Sequence, residues 1–274
     1  MPVGQENAVN NAGVSKLSEP TNGDTTSLDL TKEVKIQREY YARTARNYNA
    51  MHCHENDQHY FALDILLSLL DRFGVHSILD LGSGTGRSLL YMIKHRPDLR
   101  LIGIEPSAAM RTVAYESGVP KHVLLAGDAT ALPFPDRTFD LVCAFGVLHH
   151  IKYPSVAVRE ALRVARKGVF ISDANNFGQG SLLVRLAKQT LKACGLWPLA
   201  NTVKTMGRGY SITDGDGLAY SYSLFSNLRQ IRQECRSLYL FGTEGSGANL
   251  YRSASCVAVL GVKGLSNKTA NHDC

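Results

Sequence analysis

Between residues 60 and 73 the apolar positions Leu63, Leu66, Leu67, Leu69 and Leu70 recur at helical spacing, and Gly74 follows as a stop, which predicts an amphipathic helix. A looser helical pattern, carried by Tyr40, Tyr41, Ala45 and Tyr48, precedes it from Glu33 to about Tyr48. From Ser77 the period changes. Short unbroken apolar runs at 77–81, 101–104, 122–125, 139–145 and 169–172 read as strands, and the segments 88–95, 108–116 and 155–165 between them read as helices. Such alternation implies βαβ crossovers and a mainly parallel sheet covered on both faces.

Beyond Asp173 the rhythm is lost. Residues 181–194 form an amphipathic pattern, with Leu182, Leu183, Leu186 and Leu191 against Arg185, Lys188 and Lys192. Residues 205–222 hold four glycines (Gly207, Gly209, Gly215, Gly217) and three tyrosines (Tyr210, Tyr220, Tyr222), and read as a loop or lid. A helix over 224–235 and strands at 238–241 and 255–262 close the pattern, with Gly242, Gly245 and Gly247 in the turn between the strands. A hairpin there places an antiparallel strand at the sheet edge. The fold class that emerges is α/β: a doubly wound, mainly parallel seven-stranded sheet with helices on both faces. Residues 1–32 are polar and low in apolar content, a flexible leader, and 264–274 form a flexible tail.

Composition changes this picture little. Of 274 residues, 44% are hydrophobic and 20% charged, which excludes a fibrous or wholly disordered chain. The net charge of +6 is unevenly placed: between Lys152 and Arg208 ten Lys or Arg face only Glu160 and Asp173. That segment suits an anionic partner, or is a solvated basic helix surface. The cysteines, at 53, 143, 194, 235, 256 and 274, form no Cys-x-x-Cys pair and no zinc-like spacing. With no signal peptide and no apolar stretch near the ~20 residues of a membrane span, a soluble cytoplasmic protein is expected, with peripheral membrane contact left open.

The chemistry lies in Asp80-Leu81-Gly82-Ser83-Gly84-Thr85-Gly86, where a strand ends and a helix begins. Glycines there let the backbone turn tightly and approach a ligand, and the helix start offers unpaired N–H groups. A dinucleotide fold wants Gly-x-Gly-x-x-Gly. Here the third glycine comes one residue early and Arg87 fills the dinucleotide glycine's place. The carboxylate two residues ahead suits a ligand with an amine or positive centre better than a pyrophosphate.

In these residues the chain resembles the class I S-adenosylmethionine-dependent methyltransferases, in the group that includes the ubiquinone/menaquinone C-methyltransferases. The likeness runs from about Tyr40 to Phe170: Ile78 to Gly86 is similar to the first motif, Gly103-Ile104-Glu105-Pro106-Ser107 and Met110 to the acidic end of strand 2, and Gly127-Asp128-Ala129 to the end of strand 3. Leu132-Pro133-Phe134-Pro135-Asp136, Phe139-Asp140-Leu141-Val142 and Val147-Leu148-His149-His150 continue it. The resemblance implies a Rossmann-like methyltransferase domain over 33–263, a substrate cap at about 175–222, and S-adenosylmethionine as cofactor. It assigns the cofactor to Tyr48, Asp80, Gly82, Ser83, Gly84, Gly86, Glu105, Pro106, Asp128, Ala129 and Phe145. Glu105 would accept from the ribose hydroxyls and Asp128 from the adenine amine. Asp128 equally fits a turn cap before Thr130. Two departures stand out: Asn49 follows Tyr48 where the family has Asp, and Lys167-Gly168-Val169 replaces Pro-Gly-Gly, putting the turn before strand 5 in doubt.

Methyl transfer to a small-molecule, sugar or lipid-linked acceptor follows from the resemblance, with an anionic acceptor suggested by the basic segment. His149, His150 and Asp173 are candidate bases at the carboxyl ends of the strands, His149 first among them. His52, His54 and His59 with Glu55 and Asp57 read as a polar loop over the site. No metal is expected, because Phe145-Gly146 stands where catechol-type enzymes keep a metal-binding aspartate, despite Asp173 and Asn175. Nucleic acid is disfavoured by the absence of an Asn/Asp-Pro-Pro-aromatic run after strand 4. Two alternatives stay open: a regulatory protein that binds the cofactor without transfer, and an NAD(P)-dependent oxidoreductase, which the glycine spacing disfavours.

Overall fold

A computed structural model describes residues 32–52, 57–245 and 247–264. Its strands are β1 (Ser77–Leu81), β2 (Arg100–Ile104), β3 (Leu124–Leu125), β4 (Phe139–Phe145), β5 (Ala165–Ala174), β6 (Tyr210–Thr213), β7 (Gly217–Tyr220), β8 (Ser237–Gly245) and β9 (Ala254–Val262). Its helices are α1 (Lys32–His52), α2 (Gln58–Leu69), α3 (Arg87–His95), α4 (Ala108–Glu116), α5 (Pro154–Val164), α6 (Leu182–Ala193), α7 (Trp197–Lys204), α8 (Leu228–Glu234) and α9 (Leu250–Ser253). The leader and tail expected at the termini, except Lys32 and Gly264, lie outside the described residues, as do His54 and Glu55.

Seven strands form one sheet in the order β3-β2-β1-β4-β5-β9-β8. β1 to β5 pair in parallel, and β9 runs antiparallel to both β5 and β8. The antiparallel strand therefore sits one place inside the edge, and the edge strand β8 runs with the parallel set. Burial explains the order. β9 is apolar and buried along nearly its whole length, whereas β8 is largely half-buried or exposed, so β9 takes the slot covered on both faces.

Alternate residues of the strands face two cores. On one side Leu79, Val142, Val169, Ile171 and Val259 pack under α5 and α8. On the other, Ile78, Leu141, Phe170 and Leu260 pack under α2, α3 and α4. The turn doubted before strand 5 does not exist: β5 starts at Ala165, directly after α5. Gly168 seats β5 against β9, because a Cβ there would lie 2.2 Å from the Gly261 carbonyl oxygen.

Residues 205–222 are more ordered than their glycines suggest. β6 and β7 form an antiparallel hairpin, too short at four residues each to show alternation, in register from Tyr210↔Tyr220 to Thr213↔Gly217. The hairpin leans on α1: the Tyr40 hydroxyl donates to Asp214 O (3.0 Å) and Leu218 N–H to Gln37 Oε1 (2.6 Å).

The basic segment splits in two. Arg163 pairs with Asp136 and Glu160, Arg166 and Lys167 with Asp140, and Lys152 with Glu33, all satisfied within the fold. Arg166 and Lys167 sit at the start of β5, the opposite end of the sheet from the glycine loop, so they do not flank a substrate entrance. Arg185, Lys188, Lys192, Lys204 and Arg208, on α6, α7 and the turn after them, make up the rest of the surplus apart from Arg159.

Candidate functional site

The loop after β1 is built on three left-handed glycines, Gly82 (φ 64°), Gly84 (φ 55°) and Gly86 (φ 82°), and they do different work. A Cβ on Gly82 would strike Val147 at 2.7 Å and one on Gly86 would strike Val119 at 2.5 Å, so both allow close packing. At Gly84 the nearest atom is the Gly82 carbonyl oxygen, 4.0 Å away. Its open side faces a cavity of about 470 Å³ at the carboxyl ends of β1, β2 and β4.

Two buried carboxylates line that cavity. Glu105, 5% exposed, accepts from Ser107 N–H (2.7 Å) and Gly84 N–H (3.1 Å). Burial pushes its pKa to about 7 against the pull of those two bonds. Burial likewise raises Asp80 to about 6, although the Ser88 hydroxyl donates to Oδ2 and Cys143 Sγ lies 3.5 Å from Oδ1. Asp80 thereby also fastens the first turn of α3.

Tyr48, Asp80, Gly82, Ser83, Gly84, Glu105, Pro106, Asp128, Ala129 and Phe145 all line this one cavity. Gly86 does not: it turns the chain into α3 and packs against α4 and Val119. Asp128 performs the turn-cap role, its Oδ1 accepting from Thr130 N–H (2.7 Å) and Oγ1–H (2.6 Å), which leaves Oδ2 for a ligand amine. Asn49, in the family's aspartate position, accepts from the Thr85 hydroxyl and ties α1 to the glycine loop. Tyr41 also lines the cavity and was missed; its ring stacks edge-on to Tyr48 at 6.0 Å, and the heptad spacing of the two tyrosines was the available signal.

A second cavity of about 620 Å³ adjoins the first, and Tyr48, His59, Phe145, Gly146 and Tyr220 line both. Of the polar loop expected there, Asp57 caps α2 and pairs with Arg87 at 2.9 Å. Burial and the Arg87 charge lower His59 to about 4, leaving a neutral ring whose buried Nδ1 has no partner.

Asp173, fully buried at the end of β5, accepts from Val147 N–H (2.9 Å) and Leu148 N–H (2.7 Å), and its Oδ1 lies 2.7 Å from His149 Nδ1. His149 Nε2 faces Asp216 Oδ2 at 3.3 Å. Burial favours the neutral ring, but the two carboxylates override it and raise His149 to about 10. An imidazolium held between two acids is not a proton acceptor at neutral pH, so the geometry does not support His149 as a base. Asn175 is structural as well: its amide donates to Leu250 O, Tyr251 O and Ala254 O, and its Oδ1 accepts from Ser223.

Comparison with known proteins fits this arrangement. Residues 79–172 match the family model described as Methyltransferase domain. The chain is 37% identical over 95 residues to a demethylmenaquinone methyltransferase of Roseiflexus castenholzii, covering 33% of this chain and 38% of that one. It is 38% identical over 108 residues to a phosphatidylethanolamine N-methyltransferase of Cereibacter sphaeroides, covering 37% and 51%. The matched stretch is thus well under two thirds of either relative's length. Among solved structures, a magnesium protoporphyrin IX methyltransferase of Synechocystis with bound SAH (S-adenosylhomocysteine) shares the fold at TM-score 0.55 and 17% identity, covering 84% of this chain and 99% of that one. Residues 79–172 are therefore a methyltransferase domain on a Rossmann-like sheet.

Proposed function

We propose that the protein is an S-adenosylmethionine-dependent methyltransferase whose acceptor is an anionic amphiphile, a lipid-linked small molecule or sugar, met at a cytoplasmic membrane surface. The observation that carries the transfer reading is the junction of the two cavities at Tyr48, Phe145 and Gly146. One cavity fits the cofactor: the open face of Gly84 admits a ligand against bare backbone, and Glu105 offers a carboxylate to a pair of hydroxyls. The other has room for an acceptor.

When bound, the cofactor supplies an activated methyl on a sulfonium, so the protein's task is alignment and exclusion of water. Glu105, Asp128 and Ala129 hold the nucleoside half, and Asp80 with the glycine loop faces the amino-acid half. Phe145 and Tyr48 form the apolar collar at the junction, which keeps water from the reacting centre. His59, whose ring is neutral, lines the second cavity beside the acceptor space.

The acceptor class rests on α6 and α7. Neither helix buries a residue; Leu183 (79% exposed), Leu199, Val203 and Met206 present a large apolar surface. From Ala174 to Thr213 the chain has no acidic residue and carries Arg185, Lys188, Lys192, Lys204 and Arg208. Apolar side chains ringed by cations suit an anionic lipid surface. No helix among the described residues is long and apolar enough to cross a membrane. Lys204, at the end of α7, also lines the second cavity, which links the surface to the acceptor space.

The test is radiolabelled methyl transfer from S-adenosylmethionine to a total lipid extract and, in parallel, to an aqueous metabolite extract. Label is expected in the organic phase, with less of it in a Leu183→Glu, Leu199→Glu double variant. Label confined to the aqueous product would overturn the amphiphile reading. No label in either would favour the regulatory alternative.

A further inference from the structure

The turn of the β6–β7 hairpin brings Asp216 onto the two histidines that follow β4. His149 Nε2 lies 3.3 Å from Asp216 Oδ2 and His150 Nε2 lies 3.4 Å from Oδ1. The three ligand atoms fall within 4.8 Å of one another. The far nitrogen of each ring is already engaged: His149 Nδ1 on Asp173 Oδ1 at 2.7 Å and His150 Nδ1 on the Leu218 carbonyl oxygen at 2.7 Å. A carbonyl only accepts, so His150 carries a proton on Nδ1, and Gln37 Nε2 at 3.5 Å is too distant to compete.

That pattern leaves a problem which protons solve poorly. With Nδ1 protonated, a neutral His150 turns the Nε2 lone pair toward a carboxylate oxygen, acceptor against acceptor. Satisfying both contacts with protons makes two imidazolium rings whose centroids are 4.0 Å apart. A single dication satisfies both with neutral rings, and its charge balances Asp173 and Asp216. Each ring faces its own oxygen of Asp216, at 3.3 Å and 3.4 Å, the range that separates ligands on a tetrahedral ion with bond lengths of about 2.0–2.1 Å. Asp173 and Leu218 O then play the outer part that fixes the ring orientation of metal-bound histidines.

We infer that His149, His150 and Asp216 form a binding site for a divalent first-row transition ion of zinc's class, pinning the hairpin to the sheet and leaving a fourth position open. His149 and Asp216 line the second cavity, so the open position gives onto it and takes water or an acceptor oxygen. Binding releases the proton held on His149 Nε2. Sequence spacing gave no sign of the site because its carboxylate comes from the hairpin. The inference does not depend on the methyl-transfer reading.

The full chain, stripped with chelator, is titrated with Co²⁺ alone and then with Zn²⁺. One equivalent of Co²⁺ is expected, with the intense visible bands of a four-coordinate ion, bleached as Zn²⁺ displaces it. Asp216 is half-buried in the turn of the hairpin and Asn keeps its shape, so Asp216→Asn keeps its far-ultraviolet dichroism while Co²⁺ affinity falls by on the order of 100-fold. Asp173→Asn lowers it by about 10- to 100-fold without removing a ligand. Failure of the wild-type chain to take up Co²⁺, a pale six-coordinate spectrum, or wild-type Co²⁺ affinity in Asp216→Asn and His150→Gln would each overturn the assignment.

Discussion

Both ends of the central sheet carry buried carboxylates, and the two that line the first cavity are treated differently from those paired within the fold, Asp140 at the amino ends and Asp173, held by His149, at the carboxyl ends. At the amino ends of β4 and β5, Asp140 accepts from Arg166 (2.6 Å) and from His76 N–H (3.0 Å), with Lys167 at 3.4 Å. Burial works against its charge, but these partners hold it down at about 2. At the carboxyl ends, burial pushes Asp80 to about 6 and Glu105 to about 7, and among the described residues no cation closes on either carboxylate in a salt bridge. The chain satisfies its own acid where it needs rigidity and leaves two acids under-compensated where a ligand supplies the missing donors. Buried groups shifted in this way mark functional sites more often than structural ones.

The largest break in that comparison is Glu105→Ala. With two ligand hydroxyls losing a charged acceptor at about 1.5–3 kcal/mol each, affinity for S-adenosylhomocysteine falls by roughly 100- to 10,000-fold in calorimetric titration. Unchanged affinity would remove Glu105 from the cofactor site. At the other end, Asp140→Asn costs about 1–3 kcal/mol in urea unfolding at pH 7, because it leaves Arg166 and the His76 N–H under-satisfied. The sign follows from linkage: a depressed acid stabilises above its unfolded pKa of about 3.9 and loses that contribution as pH falls toward about 2. The gap between wild type and Asp140→Asn therefore narrows over that range. A gap that widens on acidification would contradict the pairing.

The glycines separate packing from binding. Gly86→Ala drives a methyl into Val119 at a position that is itself left-handed, so overpacking of about 1–3 kcal/mol adds to strain of about 1–2 kcal/mol, with ligand affinity of the folded protein nearly unchanged. Gly84→Ala meets open space, so its stability cost is only the left-handed strain of about 1–2 kcal/mol, and ligand affinity drops with it. Identical behaviour of the two variants would show that Gly84 does not face the ligand. The smallest effect is in pH. Glu105 is raised in the free protein, and hydroxyl donors favour its ionised form, so affinity climbs by up to roughly tenfold per pH unit until about pH 7 and then levels. Glu105→Gln flattens the climb. Without ligand it is at least as stable as wild type at pH 8, since a raised acid loses stability as pH rises through its folded pKa.

What the sequence disclosed follows the same division. Asp80, Gly82, Gly84 and Glu105 were legible because strand tips and glycine spacing are local, and a parallel sheet brings the ends of neighbouring strands together. The order of β9 and β8 was not, because a hairpin fits an edge either way round and only comparative burial decides. His149 illustrates the limit more sharply. Its place after β4 was readable, but its chemistry depends on Asp173 and Asp216, brought to it by β5 and by a hairpin of two four-residue strands hidden among glycines. The basic surplus misled for a related reason: Arg166 and Lys167 neighbour the cap in sequence, yet β5 carries them to the far end of the sheet.

What the cavity beside Gly84 holds is the central question for this protein. Parallel calorimetric titrations of the wild-type chain with S-adenosylhomocysteine and with NADH decide it. One equivalent of S-adenosylhomocysteine bound and no measurable NADH binding is the predicted result; NADH binding without S-adenosylhomocysteine binding would contradict it.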